Sequence, residues 1–351
     1  MRKNHKTFKK IIHVVRDILY RYRYLWQRIG FALVTLFFTT IISFFLIRSI
    51  PGDVILSYAR ELAQQRGISI EEAMRLAVKL LNYDPNANIF VQFFEYLGGL
   101  LQGNLGSSMY ILDVTVVEVI KKTLPWTLFV ATVALSISFL VGTWLGTRIA
   151  WKRKGPEEMV VSSYIVVANS IPDYLLGLLL LYIFAYTLEW FPTNGNYDIM
   201  VDPGFNIPFI ASVFYHAALP IIALVFTQIG NWALMMKGSA VGVLGEDYIN
   251  AAKARGIPDH IIVRKYLKKN AMLPLITSLA ISFAFLFGGS PLMETIFNYP
   301  GIGQQFGSYI SRLDYPMIQG ILFFISAVVI LVNLIADSIY SLVDPRVRRD
   351  S

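Results

Sequence analysis

Long apolar tracts without charge dominate this chain. They run from Ile29 to Ile47, Thr123 to Thr147, Pro203 to Met236, Asn270 to Met293 and Tyr315 to Ala336; a sixth, Met159 to Leu188, is interrupted only by Asp173. About 20 apolar residues let a helix cross the hydrocarbon core of a bilayer, and backbone in lipid must satisfy its own hydrogen bonds. The pattern predicts an all-α polytopic membrane protein with six transmembrane helices, the first over residues 29–49. Ahead of it, Phe8, Ile11, Ile12, Val15, Leu19, Tyr22 and Trp26 recur at spacings of three or four among basic residues. That spacing predicts an interfacial amphipathic segment over residues 1–28.

Residues 50–123 form the one long polar interruption, an expected cap between helices 1 and 2. Ser69 with Glu72, and Thr115 with Glu118, have the spacing of capping boxes, while Tyr83-Asp84-Pro85-Asn86 and Gly103-Asn104-Leu105-Gly106-Ser107 are turn chemistry. The cap is expected to be a lid or scaffold. Residues 124–343 would then be a five-helix core enclosing the loop 237–270, with a tail over 344–351. Gly142, Gly146 and Ala150, four apart, allow a close helix approach without naming the partner.

Composition agrees with that organisation. Hydrophobic residues make up 55% and charged ones 15% of the 351 residues, against about 45–50% and 25% in soluble domains. Lys and Arg outnumber Asp and Glu, 31 to 23, and the excess is placed in alternate connections. Basic residues crowd the segment before the first tract, Arg148 to Lys154, Lys237 to Lys269, and the end of the chain, whereas Glu189 to Asp202 has none. Basic loops stay inside, which puts both termini in the cytoplasm and the cap outside. The charge is thus explained by topology, and no soluble basic face is left for nucleic acid. The long basic start and the lack of a small-residue cleavage site predict that the first helix is retained. Cysteine is absent, which excludes disulfides, thiol nucleophiles and thiolate metal sites.

The connection Glu246 to Pro258 is the most informative stretch. Asp247 is placed to cap a short helix, Ala251-Ala252 gives it a small contact surface, Gly256 supplies a left-handed end and Pro258 blocks continuation. A second basic helix is expected from Asp259 to Asn270, and Leu273-Pro274 opens the next span. Such a knob can push on a partner outside the membrane, or be an ordinary connection.

In the membrane tracts, Asp173 lies about fourteen residues into its span, near mid-depth at about 1.5 Å per residue. A carboxylate there costs roughly 2.5–3.5 kcal/mol, so it should face a wet path; the alternative places it at the outer edge. Pro172 beside it is expected to free a carbonyl for water or substrate. Gln228 and His216 flank Pro220 and are candidates for the path or for bonds to a neighbouring helix. One histidine does not make a metal site, and no metal is expected. Glu294 and Arg312 are expected to pair across the last outer loop. No G-x-x-x-x-G-K-[ST] phosphate loop occurs, so no nucleotide chemistry is expected in this chain. An ion-coupled secondary transporter would need carboxylates in several spans, where only Asp173 stands. An intramembrane serine protease would have to draw on His216 with Ser136 or Ser282.

The order Tyr248, Ala251-Ala252, Gly256 and Leu273-Pro274 resembles the EAA loop of ABC-importer permeases, in the long-spaced form of the dipeptide, oligopeptide and nickel branch. Pro51-Gly52-Asp53, Gly103 to Ser108, Ser170-Ile171-Pro172, Glu294 to Phe297, Pro300 to Gly303, Asp314-Tyr315-Pro316 and Asp344-Pro345-Arg346 follow in the matching order. The resemblance implies that Tyr248, Asn250, Ala251, Ala252, Gly256 and Pro274 couple the chain to an ATPase, with Asn250, Leu234 and Lys237 standing where relatives often carry other, mostly charged, residues. It implies a second homologous permease, two cytoplasmic ATP-binding subunits holding ATP and Mg, an external solute-binding protein, and the cytoplasmic membrane of a prokaryote. Asn104, Gly106, Glu294 and Arg312 are expected at an outer gate or binding-protein contact. Peptides are the default cargo of that branch, with oligosaccharides and nickel chelates as alternatives.

Overall fold

The computed structural model describes residues 26–81, 88–111, 113–153 and 155–343. The amphipathic segment before Trp26, the Tyr83–Asn86 turn and the 344–351 tail lie outside the described residues. In chain order the helices are α1 (Trp26–Arg48), α2 (Val54–Arg66), α3 (Ile70–Leu81), α4 (Ile89–Leu101), α5 (Val116–Trp151), α6 (Pro156–Ser170), α7 (Asp173–Thr187), α8 (Ile207–Leu244), α9 (Asp247–Ala254), α10 (Asp259–Ala271), α11 (Leu273–Gly288), α12 (Pro291–Ile296), α13 (Ile302–Arg312) and α14 (Tyr315–Val343). The described residues contain no strand, only an isolated bridge between Ser107 and Thr115. Helices α7 and α10 each contain a π turn, at Leu181–Thr187 and Ile262–Leu267.

Four helices, α1, α5, α8 and α14, are each long and apolar enough to cross a bilayer. The other two expected spans are broken pairs. Between α6 and α7 the chain bends by 95°, and between α10 and α11 by 51°. The third tract is therefore not one straight helix, and counting residues along it does not give the depth of Asp173. The cause is local: a proline disfavours helical backbone in the residue before it, and Ile171 is extended at φ −100°, ψ 118°. The Pro172 oxygen itself accepts from the amides of Leu175 and Leu176, which opens α7 directly after the break.

Helices α5 and α8 form the central seam. A methyl added at Gly142 would lie 2.5 Å from the Cβ of Trp232, and one at Gly146 would lie 2.4 Å from the carbonyl oxygen of Ala233. Both distances are below any tolerated contact, so the two backbones touch where only glycine fits. The small-residue stripe of the sequence thus finds its partner in α8. Phe139 and Trp232 close the seam edge-to-face at 5.0 Å, and Leu135, Met236 and Leu275 fill the space beyond it. α8 also approaches α6 closely at Gly230, beside the Asn169 side chain.

The outer segment is largely helical, because its capping residues work as the spacing predicts. Ser69 accepts the amide of Glu72, and Thr115 with Glu118 forms a reciprocal capping box. Asp53 caps α2 and Asn88 caps α4, two helices beyond those expected. Ala59, Leu62, Ala73 and Ala77 join α2 to α3. A larger apolar cluster runs from Val54 through Val116, Ile120, Ile302 and Tyr309 to Ile318 and Ile321. The segment is thereby packed onto α5, α13 and α14 rather than set apart as a separate layer.

Gly146→Leu should destabilise the chain by about 1–3 kcal/mol through overpacking. Gly238→Ala, where an added methyl meets nothing within 4 Å, should be neutral or stabilising. Thermal unfolding of both purified variants in detergent checks the contrast, and equal behaviour would refute the close seam.

Candidate coupling helix and polar cavity

The connection after α8 folds into a short, firmly stopped helix. Asp247 is the first residue of α9 rather than its cap; Glu246 holds the cap position without a side-chain bond. The end follows the expected chemistry. The amide of Ile257 donates to the Ala252 carbonyl and that of Gly256 to Lys253, at 3.2 and 2.9 Å. This is the Schellman pattern, with Gly256 left-handed at φ +71°.

α9 is seated by two residues of its inner face. Ile249 and Ala252 are buried together with Ile262 of α10, against Trp151, Val243, Leu244, Ile257 and Tyr266. Lys253 lays its ammonium over the Trp151 ring at 5.1 Å. Tyr248, Asn250, Ala251 and Gly256 are exposed. The sequence weighs Ala251 and Ala252 alike, yet only Ala252 faces inward. Ile249, not among the expected coupling residues, shares that face, as its three-residue spacing to Ala252 marks. Pro274 is not brought to α9; it occupies the first turn of α11, at the 51° bend. Lys237 forms an ion pair with Glu158 at 2.8 Å, within the chain.

A cavity of about 410 Å³ opens between α5, α7, α8 and α11. Asp173 and Gln228 both line it, joined by Asn231, Ser278, Ser282 and Ser290, with Trp232, Met235 and Phe285 as its apolar wall. Asp173 is the one charged group among the described lining residues. It begins α7, and its carboxylate accepts the amide of Tyr174. Gln228 accepts from the Ser138 hydroxyl at 3.3 Å, so it ties α8 to α5 while facing the cavity. The four-residue spacing of Ser278 and Ser282 was the available signal for the third wall. His216 is elsewhere. Its Nδ1 is 2.8 Å from the Ser212 carbonyl, and it lines a different depression with Glu189 and Asp198. Ser282 and His216 therefore do not form a catalytic pair. No metal-binding cluster occurs among the described residues.

The expected Glu294–Arg312 pair is absent. Arg312 pairs with Glu61 of α2 at 3.3 Å. Glu294 is buried, and its carboxylate accepts from Thr127 Oγ1 at 2.8 Å and the Gln304 amide at 2.9 Å. Thr127 Oγ1 in turn accepts the Ile302 amide. Methyls added at Gly289, Gly301 or Gly303 would each come within 2.9 Å of that carboxylate, so three glycines make room for it. Glu294 thus pins the Tyr299–Gly303 turn to α5, next to the cavity wall at Ser290. Asn104 and Gly106 have a similar local task. The Asn104 side chain accepts the Gly106 amide, and Gly106, at φ +104°, lies against Pro316 of α14. Asp314 accepts from the Ser108 hydroxyl and the Met109 amide, which binds this turn to the foot of α14. Burial pushes the Asp314 carboxyl up from the usual aspartate range, opposed by those two bonds.

Gly256→Ala forces a left-handed alanine and should cost about 1–2 kcal/mol, while Gly256→Asn should recover part of the loss. Hydrogen exchange of the Ala252 and Ile257 segment is the readout. Unchanged protection in the alanine variant would contradict the stop described for α9.

Residues 138–349 match the family model of the binding-protein-dependent transport system inner membrane component. A probable peptide ABC transporter permease protein of Sinorhizobium fredii is 32% identical over 93% of this chain and 99% of its own length. The di/tripeptide transport system permease protein DppB of Pseudomonas aeruginosa is 31% identical over 92% of this chain and 97% of its own. Among solved structures, an inward-facing form of the MetNI methionine ABC transporter shares the fold, with a TM-score of 0.51 at 20% identity over 65% of this chain and 97% of that one. The chain belongs to the family of binding-protein-dependent transport system inner membrane components.

Proposed function

We propose that this chain is the permease subunit of an ATP-driven importer that carries peptides across the cytoplasmic membrane of a prokaryote. In this reading it forms half of a pore with a homologous second permease. Six spans place both termini and α9 inside and residues 50–123 outside, each bent pair counting as one span. Two cytoplasmic subunits supply ATP and Mg chemistry, and an external solute-binding protein delivers the cargo.

The observation that carries the reading is α9. A helix of eight residues, stopped at both ends, rests on an apolar pad made from the ends of α5, α8 and α10 and leaves Tyr248, Asn250 and Ala251 free. A load applied to the free face reaches two long helices and the π turn of α10 through the buried contacts of Ile249 and Ala252. That is the construction a coupling element needs, because packed cores switch between discrete arrangements instead of deforming smoothly.

Peptide cargo is supported by the relatives' names and by the cavity. One carboxylate with amides and hydroxyls suits a chain that has an ammonium terminus and repeated amide groups, while Trp232, Met235 and Phe285 offer sequence-tolerant apolar contact. Asp173, Gln228 and the bend at Pro172 are assigned to the path. Glu294 holds the side of the cavity at Ser290 in position, the Asn104–Gly106 turn packs on the start of α14, and neither need touch cargo.

Two variants test the two halves of the proposal. Ala251→Trp enlarges only the free face of α9; it should leave folding intact and lower ATP-driven uptake at least tenfold, with loss of ATPase subunits on co-purification. Asp173→Asn should keep the assembly and lower uptake of peptides with a free amino terminus by about tenfold, the size of a lost charge-assisted bond near 1.4 kcal/mol. Wild-type uptake in the first variant would remove α9 from coupling, and in the second would remove Asp173 from the path.

A further inference from the structure

The connection between α7 and α8, residues 188–206, carries the three most exposed large apolar side chains among the described residues, and Ile207 opens α8 directly after it. Ile199 is 93% exposed, Met200 91%, Phe205 fully and Ile207 83%. The backbone beneath them is held in place. The Asp198 amide donates to Ser212 Oγ at 2.9 Å, Asp198 Oδ1 accepts the Met200 amide, the Tyr215 hydroxyl donates to the Trp190 carbonyl at 2.6 Å, and Asn206 caps α8. Tyr197 stacks on Trp126 of α5. None of these bonds requires the four apolar side chains to point outward.

Helix length sets their height. α8 has 38 residues, about 57 Å at 1.5 Å per residue, whereas the hydrocarbon core takes about 30 Å. Lys237, paired with Glu158, marks the inner boundary. Twenty residues outward from it the hydrocarbon ends near Ala217, which leaves Ile207 about 15 Å above that edge, or about 12 Å with an ordinary tilt of 20°. The headgroup layer is only about 5–8 Å deep. On this count Ile207 and the neighbouring Phe205 fall above the headgroup layer, while Asp198, beside Ser212, sets Ile199 and Met200 lower on the same connection. The stretch carries Glu189, Asp198 and Asp202 and no Lys or Arg.

Resting on the importer reading above, we infer that this connection is a preformed prong for the external solute-binding protein, with Phe205 and Ile207 as apolar anchors, Ile199 and Met200 as their flank, and a basic rim on the partner facing Glu189, Asp198 and Asp202. The partner follows from the placement: the prong lies at the opposite end of α8 from α9, above the lipid, in a family whose transport depends on a binding protein. Apolar anchors held on an ordered backbone need little ordering on contact, and an acidic surround steers a basic partner in a salt-dependent way.

The test uses the complete importer in liposomes. The chain has no cysteine, so Phe205→Cys gives it a single thiol for an environment-sensitive fluorophore. Adding the purified binding protein should shift the emission to the blue, and brominated lipids should not quench it. The combined variant Ile199→Ser, Met200→Ser, Phe205→Ser and Ile207→Ser should weaken binding-protein affinity by 10- to 100-fold and abolish its stimulation of ATP hydrolysis, with basal hydrolysis unchanged. Quenching by brominated lipid without a response to the protein would make the prong a membrane anchor and overturn the proposal. Loss of pairing with the second permease in the serine variant would overturn it in favour of that interface, and unchanged affinity would overturn it outright. An assembly that recruits no ATPase would sink the importer reading itself, and this inference with it.

Discussion

Backbone contact between α5 and α8 is the constraint on which the rest depends. At Gly142 and Gly146 the two helices approach until no side chain fits between them. In lipid, where apolar burial gives no net drive between helices, such contact supplies dispersion energy over a long seam. The partner residue Trp232 is then fixed in rotation, held by Phe139 on one side and facing the cavity on the other. Rotation of α8 in turn sets where Gln228 and Asn231 point. A looser seam would leave those groups free to turn into lipid.

One rigid element consequently reports on three levels of the molecule. α8 begins at the connection that bears Phe205, passes the cavity at Gln228 and Trp232, and ends in Val243 and Leu244 beneath α9. Near its inner end Lys237 fastens it to α6 through Glu158. The seat of α9 is thus the continuation of the helix that lines the cavity. Bends at Ile171–Pro172 and Ala271–Leu273 divide the spans whose inner faces supply Asp173 on one wall and Ser278 with Ser282 on the other.

Much of this was legible in the amino-acid order, for identifiable reasons. Uncharged tracts of sufficient length coincide with the four helices long enough to cross a bilayer and with the two bent pairs, and Ser69, Thr115 and Gly256 did what their chemistry dictates at helix ends. Small residues four apart in α5 announced a close contact, though not with which helix. The failures are equally physical. Hydropathy treats Met159 to Leu188 as continuous, whereas the backbone preference imposed by Pro172 breaks it. Glu294 and Arg312 have opposite charges and share a loop, but Glu294 is satisfied by a hydroxyl and an amide in a glycine-lined recess, and Arg312 finds Glu61 far away in sequence. Sequence proximity carries no information about such long-range choices. The cavity is the extreme case, since Asp173, Gln228 and Ser282 come from three separate tracts and meet only once the helices are packed.

The π turn at Ile262–Leu267 has a consequence for the way this scaffold tolerates change. A π turn holds one residue more than the α-helical repeat, and one residue corresponds to about 100° of rotation. The turn buries both Ile262 under α9 and Leu267 against α8, a pair of attachments that an unbroken α-helical phase would not serve together. Losing one residue there would keep α10 helical yet swing α11 by more than a quarter circle, carrying the serines out of the cavity. The π turn thus acts as a phase adjuster between the seat of α9 and the cavity wall.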